Sequence, residues 1–156
     1  MSTPFLLQDA LVNEIKALFS TMSFKNVKGE ETELNVFAQY LPAKQTDEDG
    51  EYFPYAVVRI LGGGTSNETD AANCNALIFF GLYDESEDYQ GHKDLLNVLR
   101  KLETHLLKKR IIDRRYRIEF PFDWSVYQDE TTFPYYFGGA QTVWTLPAIR
   151  QEVNDV

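Results

Sequence analysis

The sequence predicts an α+β domain in which two helices pack on one face of a largely antiparallel sheet of four to five strands. Two segments carry apolar residues at helical spacing, and the others are short runs rich in β-branched or aromatic residues. Polar or glycine-rich turns separate them, so the predicted order is α-β-β-β-α-β-β. The length fits a single domain over residues 1–156, with an ordered core over about 5–149 and a short tail over 150–156.

The first helix is predicted close to the N-terminus. Pro4 suits the first turn of a helix, and Ser2 or Thr3 suits the capping position before it. The helix is expected to end near residues 20–23. Its apolar stripe consists of Leu7, Leu11, Ile15, Leu18 and Met22.

Three strands are predicted next, over residues 34–41, 55–61 and 75–83. The first ends before a proline, the second ends at a run of three glycines, and the third ends in acidic residues. The two connections between these strands, 42–54 and 62–74, have the length at which loops are often functional.

The second helix is predicted over about residues 90–109. Four leucines define its buried stripe, which Val98 and Leu107 widen. Strands are predicted over 114–120 and 137–146, each ended by a proline, with a short extended piece near 124–127. The four leucines are Leu95, Leu99, Leu102 and Leu106.

Charge is distributed unevenly along the chain. Residues 100–117 contain eight basic and two acidic residues, a net charge of +6, whereas the whole chain carries −9. Oppositely charged surfaces on one molecule attract each other between copies. The alternative explanations of the basic segment are a helix C-terminus followed by a solvated strand, and a phosphate-contacting patch. The interface candidates are Lys108, Lys109, Arg110, Arg114 and Arg115 on the basic side and Asp47, Glu48, Asp49 and Glu51 on the acidic side.

No residue pattern indicates catalysis, so we expect neither enzymatic activity nor a cofactor. The glycines at 62–64 precede neither a helical pattern nor a lysine, which a phosphate loop requires, and predict a flexible connection between strands. His92 and His105 lie about 220° apart around one helix and cannot share a metal ion. Cys74 has no second cysteine, and the acidic groups at 47–51 and 84–88 lack the spacing of a calcium loop.

Composition also limits location and partners. No apolar run approaches the ~18 residues of a membrane span, and no secretory leader is evident, so a soluble protein made inside the cell is expected. The pI near 4.7 argues against general binding of nucleic acid, which favours a positive surface.

Three segments resemble tail proteins of long-tailed phages: PYAVVRILGGG (54–64), ALIFFGLYDESEDYQGHKDLLNVLRKLE (76–103) and FGGAQTVWTLPAI (137–149). More narrowly, the chain resembles the tail-terminator or tail-completion group, typified by the minor tail protein U of phage lambda. The resemblance extends from about residue 5 to residue 149.

The resemblance implies a virion structural protein made in the cytoplasm of a host bacterium and located at the neck of the tail. Members of that group assemble as a hexameric ring that caps the tail tube and offers a docking surface to the head–tail connector protein. DNA passes through such a ring without specific binding. The alternatives are a head–tail connector, a tail-tube subunit, or a monomeric acidic protein that binds or inhibits a host target.

Overall fold

The structure, a computed structural model, describes residues 3–148 apart from the side chain of Glu130. It confirms an α+β fold with two helices. The strands form a large mixed sheet and a separate two-stranded sheet. The predicted tail over 150–156 lies outside the described residues. The elements are α1 (Pro4–Leu18), β1 (Phe24–Lys25), β2 (Glu31–Thr32), β3 (Asn35–Ala38), β4 (Tyr55–Gly64), β5 (Asn73–Tyr83), α2 (His92–Lys109), β6 (Ile111–Ile112), β7 (Tyr116–Val126), a 3-10 turn (Glu130–Thr132) and β8 (Tyr135–Thr145).

Helix α1 begins as the sequence predicts. The hydroxyl of Thr3 accepts a hydrogen bond from the backbone N–H of Leu6 at 3.1 Å, and Pro4 occupies the first turn. The helix ends one turn before the end of the predicted stripe, because Phe19 leaves the helical conformation and packs into the core. The stripe residues Leu7, Leu11 and Ile15 are buried, together with Gln8.

Helix α2 also follows its predicted stripe. It starts at His92, slightly later than expected, and Gly91 at the capping position provides no side-chain hydrogen bond. It ends at Lys109, because the following residue, Arg110, has a φ of 66° in the left-handed region and cannot continue the helix. Its buried residues are Leu95, Val98, Leu99, Leu102 and Leu106.

The main sheet has six strands in the order β3-β4-β5-β8-β7-β6. The prediction of four to five strands was therefore too low. Every neighbouring pair is antiparallel except β3 and β4, which pair in parallel from Asn35 opposite Tyr55 to Ala38 opposite Val58. The parallel pair arises because the long β3–β4 connection returns the chain to the end of the sheet at which β3 began.

Two strands continue through residues that were predicted to end them. β4 includes the glycines 62–64, which pair with residues 73–75 of β5 after a bulge, so they are not the flexible connection that we expected. β7 passes through Pro121, where its pairing with β8 shifts between Glu119 and Asp123. A proline is tolerated in a strand at such a bulge, because no ladder hydrogen bond requires its missing N–H.

Three very short strands were not predicted. β1 and β2 form a hairpin within the polar segment 24–33, with Gly29 in the left-handed region at φ 77°. β6 pairs with only two residues of β7, Arg117 and Tyr116. Two-residue strands carry too little alternation to be recognised from sequence.

The two helices pack on the same face of the main sheet, and their buried residues form one core with that face. The helix-side residues at the centre of the sheet include Ile78, Phe80 and Trp144, each fully buried. The opposite face, which we call the outer face, carries a ring cluster in which neighbouring centroids lie 4.6–6.4 Å apart. Its members are Phe53, Tyr55, Phe79, Tyr135 and Phe137.

None of the helices in the described part of the chain is long and apolar enough to span a membrane.

Candidate functional site

The charged residues that the sequence singled out lie at two opposite corners of the main sheet. The basic corner, Lys108–Arg115, spans the end of α2, the edge strand β6 and the β6–β7 turn. The acidic loop, residues 43–54, connects β3 and β4 at the other edge of the sheet. Five strand spacings of roughly 4.8 Å separate β3 from β6.

The two corners are also separated along the strands. Tyr55, which follows the acidic loop, pairs with Gly81 of β5, and Gly81 pairs in turn with Phe137 of β8. Arg117, beside the basic corner, is in register with Thr145 of the same strand. Thr145 follows Phe137 by eight residue steps along β8, which corresponds to roughly 27 Å. The basic corner and the acidic loop are therefore diagonally opposed.

Lys109 and Arg110 of the basic corner contact other elements of the subunit. The ammonium group of Lys109 donates to the Glu14 carboxylate at 2.6 Å, which links α2 to α1. The guanidinium of Arg110 donates to the carbonyl of Ile118 at 3.1 Å and lies 4.9 Å from the ring centre of Phe120. Both cations therefore stabilise the subunit itself.

The other three basic residues are exposed, and one of them, Arg115, also contacts its sequence neighbours Asp113 and Tyr116. Arg115 lies 3.5 Å from the carboxylate of Asp113. Lys108 and Arg114 are exposed, and neither forms an ion pair within the described part of the chain. Lys108 and Arg114 are consequently the two cations best placed to meet another molecule.

The acidic loop is an ordered structure. The Glu51 carboxylate accepts the backbone N–H groups of Gln45 and Thr46 at 2.6 and 3.0 Å, so this residue shapes the loop. Gly50, at φ 75°, lies so close to the Tyr135 ring that an added Cβ would fall 2.8 Å from its hydroxyl oxygen. These contacts hold the loop against the aromatic cluster of the outer face.

The remaining acids of the loop keep much of their charge available. Asp49 lies 3.4 Å from the ammonium of Lys44, and Glu48 lies 4.0 Å from that of Lys28. The Asp47 carboxylate has no ion-pair partner within residues 3–148. Exposed pairs of this kind contribute only ~0.2–1 kcal/mol each.

Apolar residues that sequence reasoning missed lie beside both corners. Phe120 is 63% exposed and Ile111 is 45% exposed next to the basic corner. Tyr40 and Leu41 are exposed at the start of the β3–β4 connection. The proline after Phe120 was the available signal, since a strand that continues through Pro121 must bulge and turn neighbouring side chains outward.

Among residues 3–148, no three His, Cys, Asp or Glu side chains converge on one point. His105 instead lies 2.8 Å from Glu14, beside Lys109. Burial raises the pKa of the Cys74 thiol, which disfavours the reactive thiolate.

The chain matches no protein-family model and no curated protein.

Glu14 makes a testable contribution to stability. Burial alone would raise the pKa of its carboxyl, but the hydrogen bonds and charges of Lys109 and His105 hold that pKa below its ordinary value. The ionised group therefore stabilises the fold above its ordinary pKa, and this contribution is lost as the pH falls through the lowered value. We expect Glu14→Gln to lower the free energy of unfolding by about 1 kcal/mol at pH 7, measured by urea denaturation.

The difference between Glu14→Gln and the parent protein should shrink progressively below the ordinary carboxyl pKa. Glu33→Gln is a matched control, because Glu33 is exposed and forms no ion pair within the described residues. A stability difference for Glu14→Gln that stays constant down to pH 3 would contradict the assigned role of the Glu14 carboxylate.

Proposed function

We propose that this protein is a virion structural subunit that assembles head-to-tail into a closed ring, most specifically the tail terminator at the neck of a long-tailed phage. The resemblance of three sequence segments to that group motivates the specific assignment. The diagonal placement of the basic corner and the acidic loop is the observation that supports head-to-tail assembly.

The charge distribution disfavours a two-fold contact that is centred on either corner. A two-fold contact that buried either corner against its own copy would bring like charges together, which is unfavourable. A contact between the basic corner of one copy and the acidic loop of the next brings opposite charges together. Such a heterologous contact closes into a ring when its rotation allows.

Charge alone does not account for a stable ring. A few exposed ion pairs at ~0.2–1 kcal/mol each fall well below the ~8 kcal/mol of micromolar association. Burial of apolar surface at ~25 cal/mol per Å² must supply the rest. Phe120 and Ile111 at one corner, with Tyr40 and Leu41 near the other, are exposed apolar residues suited to this role.

In this proposal the ring caps the tail tube, stops its growth, and presents a surface to the head–tail connector protein. DNA passes through the opening. The net charge of −9 suits that passage, because negative protein surface repels phosphates and prevents non-specific binding.

Negative-stain electron microscopy of the purified protein, combined with light scattering at several concentrations, tests the proposal. We expect closed rings of uniform diameter and a molar mass that is a fixed multiple of 18.0 kDa. Indefinite stacks would favour a tail-tube subunit. A protein that stays monomeric at high concentration would overturn the ring and leave the acidic host-directed binder as the better explanation.

Reversing charge at the basic corner should weaken the ring. We expect Lys108→Glu combined with Arg114→Glu to raise the dissociation constant of assembly at least tenfold at low salt, measured by sedimentation velocity. The effect should be smaller in 0.5 M salt, where charges are screened over a few ångströms. Neither residue has an ion-pair partner in the described part of the chain, so the fold should be preserved.

Two further variants make the charge-reversal test specific. Lys25→Glu with Lys93→Glu changes the net charge equally at exposed positions and should leave assembly unchanged, since Lys93 lies at the opposite end of α2 from the basic corner. Asp47→Lys with Asp49→Lys should restore assembly when mixed with the reversed protein. If the mixture of the two variants does not assemble, the acidic loop is not the partner of the basic corner.

A further inference from the structure

The second half of β7 is an open edge of the main sheet. β6 pairs only with the first two residues of β7, and β8 lies on the other side, so no described strand covers Asp123–Val126 from outside. The N–H of Tyr127 donates to the carbonyl of Phe137 in β8 at 2.8 Å. Because neighbouring residues of a strand point their backbone groups in opposite directions, those of Trp124 and Val126 face outward.

One outward group already has a substitute partner. The side-chain amide of Gln128 donates to the carbonyl of Val126 at 3.1 Å, as the N–H of a neighbouring strand would. At the other edge of the sheet, the Gln39 side chain covers both backbone groups of Ile60. No comparable side chain satisfies the outward N–H groups of Trp124 and Val126 within the described residues.

Grooves lie on both sides of this open edge. On the helix side, a groove of about 710 Å³ separates the edge from the start of α2. Tyr89 and Phe133, whose ring centres lie 4.3 Å apart, line it together with Leu96 and the half-exposed Trp124. On the outer face, Leu77 and Phe79 line a shallower groove of about 910 Å³.

This pair of grooves suits an added strand. Successive side chains of a strand alternate between the two faces of a sheet, so a segment paired with β7 would direct them alternately into the two grooves. The bulge between Glu119 and Asp123 ends the regular edge on one side. The regular edge therefore has room for about four or five residues.

The charge around the edge limits the chemistry of the segment. Asp123 and Asp129 lie at its two ends, and both line the outer groove. His92 is the only basic residue that lines either groove in the described part of the chain. A segment with lysine or arginine is therefore attracted, whereas an acidic segment is repelled.

We propose that the docking edge, Asp123–Tyr127, binds a short extended segment of a different protein by strand addition. Apolar side chains of that segment enter the aromatic groove on the helix side, and its basic side chains face Asp123 and Asp129. The proposal does not depend on ring formation, because it rests on a different part of the molecule from the basic corner and the acidic loop.

Two capped heptapeptides serve as probes: one of alternating lysine and valine, and one of alternating glutamate and valine. We expect the lysine peptide to bind saturably in fluorescence anisotropy, at least tenfold more tightly than the glutamate peptide. Hydrogen–deuterium exchange should slow in the protein segment 121–128 when the lysine peptide is bound.

Because the whole chain is acidic, variants that keep its charge are the decisive controls. Val126→Pro removes one outward N–H and should weaken binding of the lysine peptide at least fivefold, whereas Val126→Thr keeps that N–H and should bind nearly as the parent does. Trp124→Ala should also weaken binding of the lysine peptide at least fivefold. This variant tests the same site if Val126→Pro does not fold. Phe5→Ala, which removes an exposed ring from α1, should have no effect.

Three outcomes would overturn the proposal. Equal affinity for the two peptides would show that binding does not select for basic side chains. Unchanged affinity of both Val126→Pro and Trp124→Ala for the lysine peptide would show that the peptide does not bind at the docking edge. Concentration-dependent exchange protection of residues 121–128 in the protein alone would identify the occupant as a second copy. Ring formation is measured separately, by microscopy on the same samples, so a failure of the ring proposal and a failure of the docking proposal can be distinguished.

Discussion

Trp144→Ala should lower the free energy of unfolding by about 3–5 kcal/mol, the range expected when a large buried ring is removed from a packed core. Trp144 is fully buried on the helix side of β8, among the residues that join both helices to the sheet. Its indole N–H donates to the Thr142 hydroxyl at 2.8 Å, and that hydroxyl donates to the carbonyl of Ala76 at 2.8 Å. Domains are typically stable by only ~5–15 kcal/mol, so this loss is a large part of the total.

Urea denaturation followed by far-ultraviolet circular dichroism measures the effect. Trp124→Ala is the matched control, since Trp124 is the second tryptophan of the chain and is 49% exposed. We expect that control to cost less than about 1 kcal/mol. Thr142→Val should itself cost about 1–3 kcal/mol, because it leaves the buried indole N–H without a partner. Equal losses for the two tryptophan variants would contradict the position of Trp144 in the core.

Gln39→Ala should destabilise the protein by about 2 kcal/mol through the loss of a side-chain bridge. The Gln39 amide donates to the carbonyl of Ile60 at 3.2 Å and accepts the Ile60 N–H at 2.9 Å, as a continuation of β3 would. It also accepts from the buried side chain of Gln8 in α1 at 2.9 Å. Removing the amide leaves both backbone groups of Ile60 without their side-chain partner, whereas Gln8 keeps its hydrogen bond to the carbonyl of Val58 at 2.9 Å.

A double-mutant cycle with Gln8→Ala tests that bridge. We expect the two losses to be non-additive, since each substitution disrupts the same network. Gln141→Ala is the control, because Gln141 is an exposed strand glutamine with no side-chain hydrogen bond in the described part of the chain. Strictly additive effects of Gln8→Ala and Gln39→Ala would show that the two side chains act separately.

The parts of the fold that depend on local pattern were predictable. Both helices were predicted from leucine and isoleucine stripes, and the buried residues of α2 match the predicted stripe. β4, β5 and β8 lie where runs of β-branched and aromatic residues predicted strands. β5 is the third of six strands, and its long apolar run is typical of a strand with a neighbour on each side.

The parts that depend on long-range pairing were not predictable. The parallel alignment of β3 with β4 is set by contacts such as those of Gln39 with Ile60, a residue 21 positions away. The passage of β7 through Pro121 depends on β8, whose Gln141 and Val143 pair with residues on both sides of the bulge. Neither partner is visible in the local sequence.

The candidate surfaces divide in the same way. The clustering of basic residues between 100 and 117 is a property of the sequence, and so is the acidic composition of the loop. Which cations are available for a partner was decided by packing: Lys109 is held by Glu14 and Arg110 by Ile118, while Lys108 and Arg114 are exposed. The docking edge and its two grooves had no sequence signal beyond the aromatic residues themselves.

By itself, the sequence determined the fold class, the two amphipathic helices and the opposite charges of two segments, because each of these follows from residues that are neighbours along the chain. Only the tertiary structure decided that the basic corner and the acidic loop are diagonally opposed, and that one edge of the sheet is open. Those properties follow from the order and register of six strands, and strand order is set by hydrogen bonds and packing between residues far apart in sequence.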